Sequence, residues 1–316
     1  MTSGPPRVLV AGDANVDLVL RGDVRPRFGQ VEQLLDDGAL VLGSSAGIAA
    51  CGLARLGIPT DLVAVMGDDA FGRFAREELT TRGVGTEAVR VHAELATGLS
   101  VILSAPEDRA ILTAIGALGE LTADDLLAAA EGHDHVHVAS FYLLPRLMPG
   151  LGEVFAELHR RGLTTSIDTN WDPAETWAHV AEVLPHADIL LPNAQELRGI
   201  AGALGVRDDD DHDLGRAVAA LGPEVVVKDG ARGGWSVGAG GQVTAVAARP
   251  VKVVDTTGAG DSFDAGYLAA RLSGVSDPRE RLRWAVAAGS LSTRGAGGTG
   301  AQATRAEVLQ ALRALP

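Results

Sequence analysis

The stretch that decides the fold is Val253-Val254-Asp255-Thr256-Thr257-Gly258-Ala259-Gly260-Asp261-Ser262-Phe263-Asp264-Ala265-Gly266. An apolar segment leads to an acid and two threonines, and a Gly-Ala-Gly turn then precedes a helix of small residues. Glycines let backbone N–H groups approach an anion closely, and a helix start adds unpaired donors and partial positive charge. Asp261 beside such an anion hole can accept a proton. The stretch therefore predicts phosphoryl transfer to a hydroxyl, with Asp261 as the base and the amides of Gly258, Ala259, Gly260 and Asp261 as the anion hole.

The composition of the 316-residue chain narrows the classes of protein it can belong to. Apolar residues make up 46% of the chain, which is enough for one large α/β domain. The formal net charge of −14 argues against nucleic acid and anionic membranes as main partners. The single cysteine, Cys51, excludes an intramolecular disulfide, and no apolar run is long enough for a membrane span. Because the first residues lack a basic segment and an apolar signal core, we expect a cytoplasmic protein.

Strands and helices alternate along most of the chain. Short, largely apolar or β-branched segments at 8–11, 62–65, 136–139 and 164–167 are typical of buried parallel strands, and an amphipathic helix is expected at 70–82. This alternation predicts an α/β fold with a doubly wound, mostly parallel sheet flanked by helices. Two segments, about 17–42 and 88–115, have the pattern of strands without helices between them, the second with a hairpin around Ala105-Pro106-Glu107-Asp108. We expect both to form a small β-sheet that projects from a single domain spanning 1–316.

The order Asp-Thr-Thr-Gly-Ala-Gly-Asp-Ser-Phe at 255–263 closely resembles the C-terminal signature of the ribokinase/PfkB carbohydrate kinase family. The resemblance covers essentially the whole chain and implies a ribokinase-like fold, in which the small sheet is a lid over the sugar and mediates homodimerisation. It also implies transfer of the γ-phosphoryl group of ATP to a hydroxyl of a sugar or sugar-like acceptor, with Mg²⁺ as cofactor. Many relatives are activated by a monovalent cation such as K⁺, which we place at Asp255 and Thr257.

Candidate acceptor-binding residues follow the first strand. In an extended segment, Asn15 and Asp17 point to the same side. They lie at the carboxyl end of a parallel strand, where ligands of open α/β sheets bind. An amide beside a carboxylate can bind several hydroxyls, and the resemblance places the sugar-binding Asn and Asp of the family here. The alternative is a polar turn closed by an Asx hydrogen bond.

Residues 43–57 align without gaps to the N-terminal signature of the family, which usually begins Gly-Gly and has an asparagine at the sixth place. Gly43 keeps the first glycine, while Ser44 and Ile48 replace the second glycine and the asparagine. We expect close backbone approach to the acceptor at Gly43 and Ser44, and an apolar Ile48 in the acceptor pocket. Arg109, at the base of the predicted hairpin, either reaches an anionic group of the substrate or is an exposed strand residue.

Two further polar pairs follow later strands. Asp168 and Asn170 lie in a segment that resembles the Asp-x-Asn-x-x-Pro segment of ketodeoxygluconate- and fructokinase-like members, and they either line the site or cap the next helix. Asn193 and Glu196 match the Asn-x-x-Glu motif of the family, which implies that they order magnesium-bound waters and phosphate. Mg²⁺ keeps several waters and needs few direct protein ligands. The alternative for this pair is a capping box at a helix start, and both can hold together.

The nucleotide is expected to bind around another glycine-rich turn. Residues 227–234 resemble the family loop that holds the phosphates and sugar of the nucleotide, so Lys228, Gly230 and Gly233 are candidate nucleotide-binding residues, together with Thr256. Glycines permit close approach, and a lysine offsets phosphate charge. The alternative is an ordinary Gly-rich turn before the next strand.

Two alternatives for the function stay open. Nucleoside kinases of the same family share these signatures, so the sequence does not decide between a sugar and a nucleoside acceptor. The alternative from another class is a non-catalytic sensor that binds a sugar or nucleotide on the same fold. The presence of Asp261 and of the whole turn at 258–260 argues against a sensor, because a protein that only binds has no use for a base.

Overall fold

The computed structural model describes residues 4–105, 109–248 and 250–313. Within these ranges the strands form one sheet of nine and one of four. The strands in chain order are β1 (Val8–Ala11), β2 (Asn15–Arg21), β3 (Asp37–Leu42), β4 (Thr60–Gly67), β5 (Val89–His92), β6 (Gly98–Ser104), β7 (Arg109–Ala114), β8 (His135–Val138), β9 (Thr164–Ile167), β10 (Ile189–Leu190), β11 (Glu224–Lys228), β12 (Gly234–Val237) and β13 (Val243–Val246).

The helices lie mainly between the strands of the larger sheet. In chain order they are α1 (Ser45–Arg55), α2 (Ala70–Thr81), α3 (Ala123–Ala129), α4 (Leu151–Arg160), α5 (Val180–Val183), α6 (Ala194–Ala203), α7 (Asp211–Ala219), α8 (Ala259–Leu272), α9 (Pro278–Ser292) and α10 (Arg305–Arg313). Among the helices of the described residues, none combines the length and apolar character that a transmembrane span requires.

The larger sheet is mostly parallel, as the sequence predicted. Its strand order is β13-β12-β11-β10-β9-β8-β1-β4-β5, and only the pairs β11–β12 and β12–β13 are antiparallel. All four residues of β1 are buried, because helices cover both faces of the sheet. Val8 and Val10 pack in the same apolar cluster as α1, α8 and α9, while Leu9 and Ala11 pack with α3 and α4 on the other face. Successive strand residues point to opposite faces, so one short strand contributes to both halves of the core.

The smaller sheet has the order β3-β2-β6-β7. β2 pairs in parallel with β6, and the β2–β3 and β6–β7 pairs are antiparallel. The sequence analysis predicted that residues 88–115, which include Val89–His92, belong to this smaller sheet. For Val89–His92 the prediction is wrong, because this strand, β5, pairs with β4 at the edge of the larger sheet. The hairpin predicted at 105–108 falls outside the described residues except for Ala105, although β6 and β7 on either side of it are antiparallel.

Parallel pairing brings the carboxyl ends of the central strands to one edge of the larger sheet. β1, β8, β9, β10 and β11 are consecutive neighbours there. The polar segments that follow β1, β9 and β10 include Asn15, Asp168 and Asn193, and Lys228 is the last residue of β11. Ligands of open α/β sheets bind at this edge, so the fold collects most of the candidate residues in one place.

Helix α2 offers a test of the helix start that the sequence placed at Asp68 or Asp69. Asp69 is the cap residue, since its Oδ1 accepts from the N–H of Gly72 at 2.8 Å and its Oδ2 from the N–H of Thr97 at 2.8 Å. We expect Asp69→Ala to lower the free energy of unfolding by about 1–2 kcal/mol, because a cap and a loop tether are lost together. Asp68→Ala, at an exposed neighbouring carboxylate, should change it by less than about 0.5 kcal/mol in the same urea titration. Equal effects of the two variants would contradict the assignment of the cap.

Candidate active site

The Gly258 turn and the start of α8 form the centre of the candidate site. Gly258 has a φ of 70° and immediately precedes α8. A Cβ at Gly258 would lie 2.7 Å from the Cα of Gly298, so the positive φ and the close approach both require glycine. The first N–H groups of a helix have no partner within the helix, although that of Ala259 donates to the carbonyl of Thr256 at 3.2 Å. The chain thus has the turn and helix start that the sequence predicted, with Asp261 in the first helical turn.

Asp261 is buried beside groups from other segments of the chain. Burial and the nearby Asp168 carboxylate raise its pKa to about 7, while Lys228 and a hydrogen bond with Ser45 oppose the rise. The Ser45 hydroxyl also accepts from Nδ2 of Asn170 at 2.9 Å. A carboxyl group with this pKa is partly ionised near neutral pH, which suits a general base.

The ammonium group of Lys228 lies between two buried carboxyl groups. Its Nζ is 2.7 Å from Oδ2 of Asp168 and 3.1 Å from Oδ2 of Asp264. Burial alone would lower the pKa of Lys228, but the two carboxyl groups hold it above its usual value. Burial would raise the pKa of Asp168, yet Lys228 holds it below its usual value, whereas burial raises the pKa of Asp264 well above the usual range. Lys228 thus already has two protein partners. Its predicted role, which is to offset the charge of phosphate groups, stays a prediction.

Asp168 and Asn170 lie next to each other in the loop after β9. The N–H of Asn170 donates to Oδ1 of Asp168 at 3.2 Å, and Oδ1 of Asn170 accepts from the N–H of Ser140 at 2.8 Å. The next helix, α5, begins at Val180 with His179 at its cap position. The alternative that this pair caps the next helix is therefore wrong, and both side chains belong to the network around Asp261.

The predicted acceptor residues Asn15, Asp17 and Gly43 lie together at the start of β2. Nδ2 of Asn15 donates to Oδ1 of Asp17 at 3.1 Å and to the Ser100 hydroxyl at 3.4 Å. A Cβ at Gly43 would collide with the Asp17 carboxylate and would lie 2.8 Å from Nδ2 of Asn15. Burial and repulsion from Asp13 raise the pKa of Asp17 to about 7. The absence of a side chain at Gly43 therefore leaves room for this amide–carboxylate pair.

Ser44 acts as the cap of α1. Its hydroxyl donates to the carbonyl of Asp13 at 2.6 Å and accepts from the N–H of Gly47 at 2.7 Å. Its φ of 76° is in the left-handed region, which explains why a glycine is usual at this place in the resembled signature. Contact between Ser44 and an acceptor stays a prediction, and the hydroxyl has two protein partners.

The Ile48 side chain packs against the turn at Gly258 and against Gly298. Its Cγ2 would lie 3.0 Å from a Cβ at Gly258, and its Cγ1 would lie 2.8 Å from a Cβ at Gly298. The Ile48 side chain is buried, and its carbonyl accepts from Nε2 of Gln302 at 2.8 Å. These contacts connect Ile48 to the anion-hole turn, while its predicted contact with the acceptor stays untested.

Two arginines of the smaller sheet reach the segment before α8. Nη1 of Arg109 donates to the hydroxyl of Thr257 at 3.3 Å, and Nη2 of Arg21 is 4.0 Å from Oδ2 of Asp255. Arg109 also lowers the pKa of Asp17 by its charge, although burial dominates there. Arg109 is also the first residue of β7 and is exposed, as the second of its two predicted roles states, while its contact with an anionic group of the substrate stays a prediction.

The side chains of Asp255 and Thr257 are engaged with protein donors. Oδ1 of Asp255 accepts from the N–H and the hydroxyl of Thr257 at 2.9 and 2.8 Å, and Oδ2 accepts from the N–H of Gly297 at 2.9 Å. Together with the two guanidinium groups nearby, these donors make the pair of side chains a poor fit for a monovalent cation. The predicted K⁺ site stays a prediction, and we derive no step from it.

A cavity of about 530 Å³ borders the glycine turn before α8, and Ala259 and Gly260 are part of its lining. The predicted nucleotide-binding residues Lys228, Gly230, Gly233 and Thr256 all line it. The remaining lining residues are mostly apolar or small, namely Ala231, Ala248, Pro250, Val251, Val253, Ala259, Gly260, Phe263, Val286, Gly289, Ser290 and Thr293. Such a lining is typical of small-molecule pockets, in which few polar groups fix the orientation.

Asn193 and Glu196 form the capping box at the start of α6. Oδ1 of Asn193 accepts from the N–H groups of Gln195 and Glu196, and Oε2 of Glu196 accepts from the N–H of Asn193 at 2.7 Å. Burial and the Asp168 carboxylate raise the pKa of Glu196 to about 7. Within the described residues, no three His, Cys, Asp or Glu side chains are arranged to hold a metal directly. The structural alternative is thus confirmed, while the role with magnesium-bound water stays a prediction.

The sequence pattern did not point to three residues of this network: Asp13, Ser45 and Asp264. Oδ1 of Asp13 accepts from the N–H of Ala46 at 3.0 Å at the start of α1, and its charge raises the pKa of Asp261. Two signals were available. Asp13 shares the alternation of Asn15 and Asp17, and Asp264 lies three residues after Asp261, which places both on one helix face.

Comparisons with known proteins identify the family of this fold and site. A profile of the pfkB family carbohydrate kinases matches residues 6–305. The chain belongs to the pfkB family of carbohydrate kinases. The predicted family and class of enzyme, an ATP-dependent carbohydrate kinase, are confirmed at this level.

Similar proteins come from bacteria and plants. The ribokinase of Bacillus subtilis is 29% identical over 305 residues, which cover 96% of this chain and 99% of that protein. The fructokinase of Klebsiella pneumoniae is 32% identical over 275 residues and 83% of each chain. The solved structure of Arabidopsis thaliana ribokinase complexed with ribose and ATP matches with a TM-score of 0.84 at 26% identity, over 98% of this chain and 99% of that one. The predicted ribokinase-like fold is confirmed.

The crowding at Gly43 predicts a specific defect. In Gly43→Ala the new methyl group must displace the side chains of Asp17 and Asn15, so we expect the KM for the best acceptor to rise at least tenfold while the KM for ATP changes less than twofold. Gly38→Ala is the matched control in the same sheet, because a Cβ there meets only Leu20 Cδ2 at 3.5 Å. Steady-state kinetics with each substrate varied in turn will distinguish the two. Equal changes in both KM values would argue against an acceptor site at Gly43.

Proposed function

We propose that this protein transfers the γ-phosphoryl group of ATP to a hydroxyl group of a sugar or sugar-like molecule, with Asp261 as the base. The observation that carries the proposal is the position of Asp261. Its neighbours Ala259 and Gly260 line the cavity of about 530 Å³, while its own carboxyl group interacts with Ser45 and with the charge of Asp13 on the other side. A base between a nucleotide pocket and a set of polar acceptor-binding groups is the arrangement that direct phosphoryl transfer needs.

The proposed step uses few groups. Asp261 removes the proton of the acceptor hydroxyl as its oxygen attacks the γ-phosphorus, and the bond from that phosphorus to the bridging oxygen breaks, so that ADP leaves. The N–H groups of Gly258, Gly260 and Asp261, with Ala259 in the same turn, stabilise the charge on the phosphoryl oxygens. The positive end of α8 contributes to the same stabilisation.

The acceptor is proposed to bind between β2 and α8. Asn15 and Asp17 offer an amide and a carboxylate from one side, and Gly43 lets a substrate approach the backbone. Asn170 donates to the Ser45 hydroxyl, which also hydrogen-bonds Asp261. The loop after β9, which carries Asn170, is therefore also proposed to border the acceptor. The ribose in the related plant kinase and the fructose implied by the name of the bacterial relative are acceptors of this chemical kind.

Magnesium is the proposed cofactor, with Glu196 and Asn193 ordering its waters. The chemistry of this pair fits, because an amide oxygen and a carboxyl group can accept hydrogen bonds from metal-bound waters. Hard oxygen ligands and negative charge are what Mg²⁺ prefers. When bound with ATP, Mg²⁺ would offset the charge of the phosphate groups.

The smaller sheet is proposed to be a lid that excludes water from the acceptor side. This is supported by the contacts of Arg109 with Thr257 and of Arg21 with Asp255. The same sheet is the proposed homodimer surface, since Leu40 on β3 and Ile111 and Leu112 on β7 are 37%, 52% and 59% exposed. Exposed apolar side chains on edge strands are typical of pairing surfaces.

The deciding experiment is acceptor-dependent ADP release from Mg-ATP. The acceptor panel contains ribose, fructose, ketodeoxygluconate, inositols and nucleosides, and turnover with a nucleoside alone would select the nucleoside kinase alternative. We expect Asp261→Asn to fold normally and to lower kcat by roughly 10²–10⁴, the usual contribution of a positioned base. Asp124→Asn, the same change at an exposed position of α3, should leave kcat unchanged. ATP binding without turnover for any acceptor would favour the sensor alternative.

The pH dependence of kcat/KM gives a second test. Burial raises the pKa of Asp261 to about 7, and only the ionised carboxylate can take the proton. We therefore expect kcat/KM to be constant above this pKa and to fall about tenfold for each unit of pH below it. If kcat/KM fell only near pH 4, which is the ordinary range of an aspartate, the assignment of Asp261 as the titrating base would be contradicted.

A further inference from the structure

The buried charges next to Asp261 are not balanced in number. Asp168, Glu196, Asp261 and Asp264 are all at most 9% exposed, and the one ammonium among them is that of Lys228. A buried carboxylate without a cation is costly in free energy, so it takes up a proton instead. The network therefore has to hold protons at particular carboxyl groups.

Burial raises the pKa of Asp264 well above its usual range, which favours the protonated form at this carboxyl group. Its Oδ1 is buried without a hydrogen-bond partner, while its Oδ2 faces Lys228. Asp168, in contrast, accepts from both the ammonium of Lys228 and the N–H of Asn170, and is the natural carboxylate of the pair. With Asp264 protonated, the trio Asp168, Lys228 and Asp264 carries no net charge.

This trio borders the turn of α8 that carries the base. Asp264 is one helical turn after Asp261 on the same face of α8, and a Cβ at Gly260 would be only 3.9 Å from Nζ of Lys228. Lys228 and Asp168 come from the strand ends of the sheet, so their contact with Asp264 ties the start of α8 to β9 and β11.

The other groups that face Asp261 come from two further elements. The carboxyl group of Asp13, in the loop after β1, opposes its ionisation, and the hydroxyl of Ser45, at the start of α1, supports it. Asp168 opposes ionisation and Lys228 supports it. Lys228 is thus a cation whose charge supports the ionised form of Asp261.

We propose that Lys228 is a positioning residue for Asp261, and that its ammonium, held by Asp168 and Asp264, supplies positive charge beside the base and fixes the start of α8 rather than binding the phosphates of ATP. This inference rests on the proposed function, because it assumes that Asp261 is the base. Two carboxyl partners at 2.7 and 3.1 Å engage two of the three donors of the ammonium, and its side chain is only 11% exposed although it lines the cavity of about 530 Å³.

Lys228→Met tests the inference through the pH profile. Without the ammonium, Asp168 and Asp264 share one proton and become a net negative pair beside Asp261. The pH at which kcat/KM begins to fall should then be higher by about one pH unit or more, since a single charge a few ångströms away shifts a carboxyl pKa by roughly 1–3 units. We call this fall at low pH the acid limb of the profile. The KM for ATP should change less than threefold. Arg160→Met removes a positive charge from the surface of α4, where the side chain is 73% exposed, and should leave the limb in place.

A double variant keeps the test decisive if the single variant does not fold, because removing one partner of a buried ion pair is strongly destabilising while removing both is tolerated far better. In Lys228→Met with Asp168→Asn the trio is neutral again, so the limb should return to the wild-type position or below it. A limb displaced upward in the double variant would overturn the inference. The inference would also be overturned if Lys228→Met folds, keeps the wild-type fall of kcat/KM at low pH and has a KM for ATP raised more than tenfold. Those results are expected of a residue that binds phosphate.

The failure of the inference is distinguishable from the failure of the proposed function. If the wild type releases no ADP with any acceptor, or if Asp261→Asn retains full turnover, the proposed function is wrong and the inference falls with it. If turnover depends on Asp261 but the acid limb ignores Lys228, only the inference is wrong. Thermal unfolding of each variant, measured beside the kinetics, shows which proteins are folded.

Discussion

The site depends on one constraint, which is that parallel strand pairing brings the carboxyl ends of β1, β9, β10 and β11 to the same edge of a single sheet. Each strand there delivers a polar segment into a region that helices cover from both sides. A polar group in such a place needs a partner from another segment, and the partners found are the loops and helix starts of neighbouring strands. The same pairing that builds the core thus assembles Asp13, Asp168, Asn193 and Lys228 around the start of α8.

Close approach is the second requirement, and small residues meet it. Gly43 leaves room for Asn15 and Asp17, while Gly258 and Gly298 bring the anion-hole turn against a second loop. Ile48 fills the space beneath that contact. A side chain at any of these glycines would separate elements whose hydrogen bonds are only formed at short range, so shape and electrostatics at the site are not independent.

Much of this arrangement could be predicted from the sequence, because its signals are local. Alternating apolar segments and helices gave the sheet, and the turn at 258–260 gave the helix start with its acid. The errors arose where distant segments meet. The partners of Lys228 could not be predicted in this way, because Asp168 and Asp264 are 60 and 36 residues away and no pattern within the loop shows them. Val89–His92 has the alternation of an edge strand, and alternation does not say which sheet a strand joins.

The division of the site between the two sheets has a consequence for control of the enzyme. Asn15 and Asp17 belong to β2 of the smaller sheet, whereas Asp261 and the anion-hole turn belong to the larger body. The proposed acceptor groups are therefore carried by the smaller sheet and the proposed base by helix α8 of the larger body, and the two parts meet at Arg21 and Arg109. We expect a compound bound where these two arginines meet the larger body to inhibit without resembling either proposed substrate, because it would separate the proposed acceptor groups from the base.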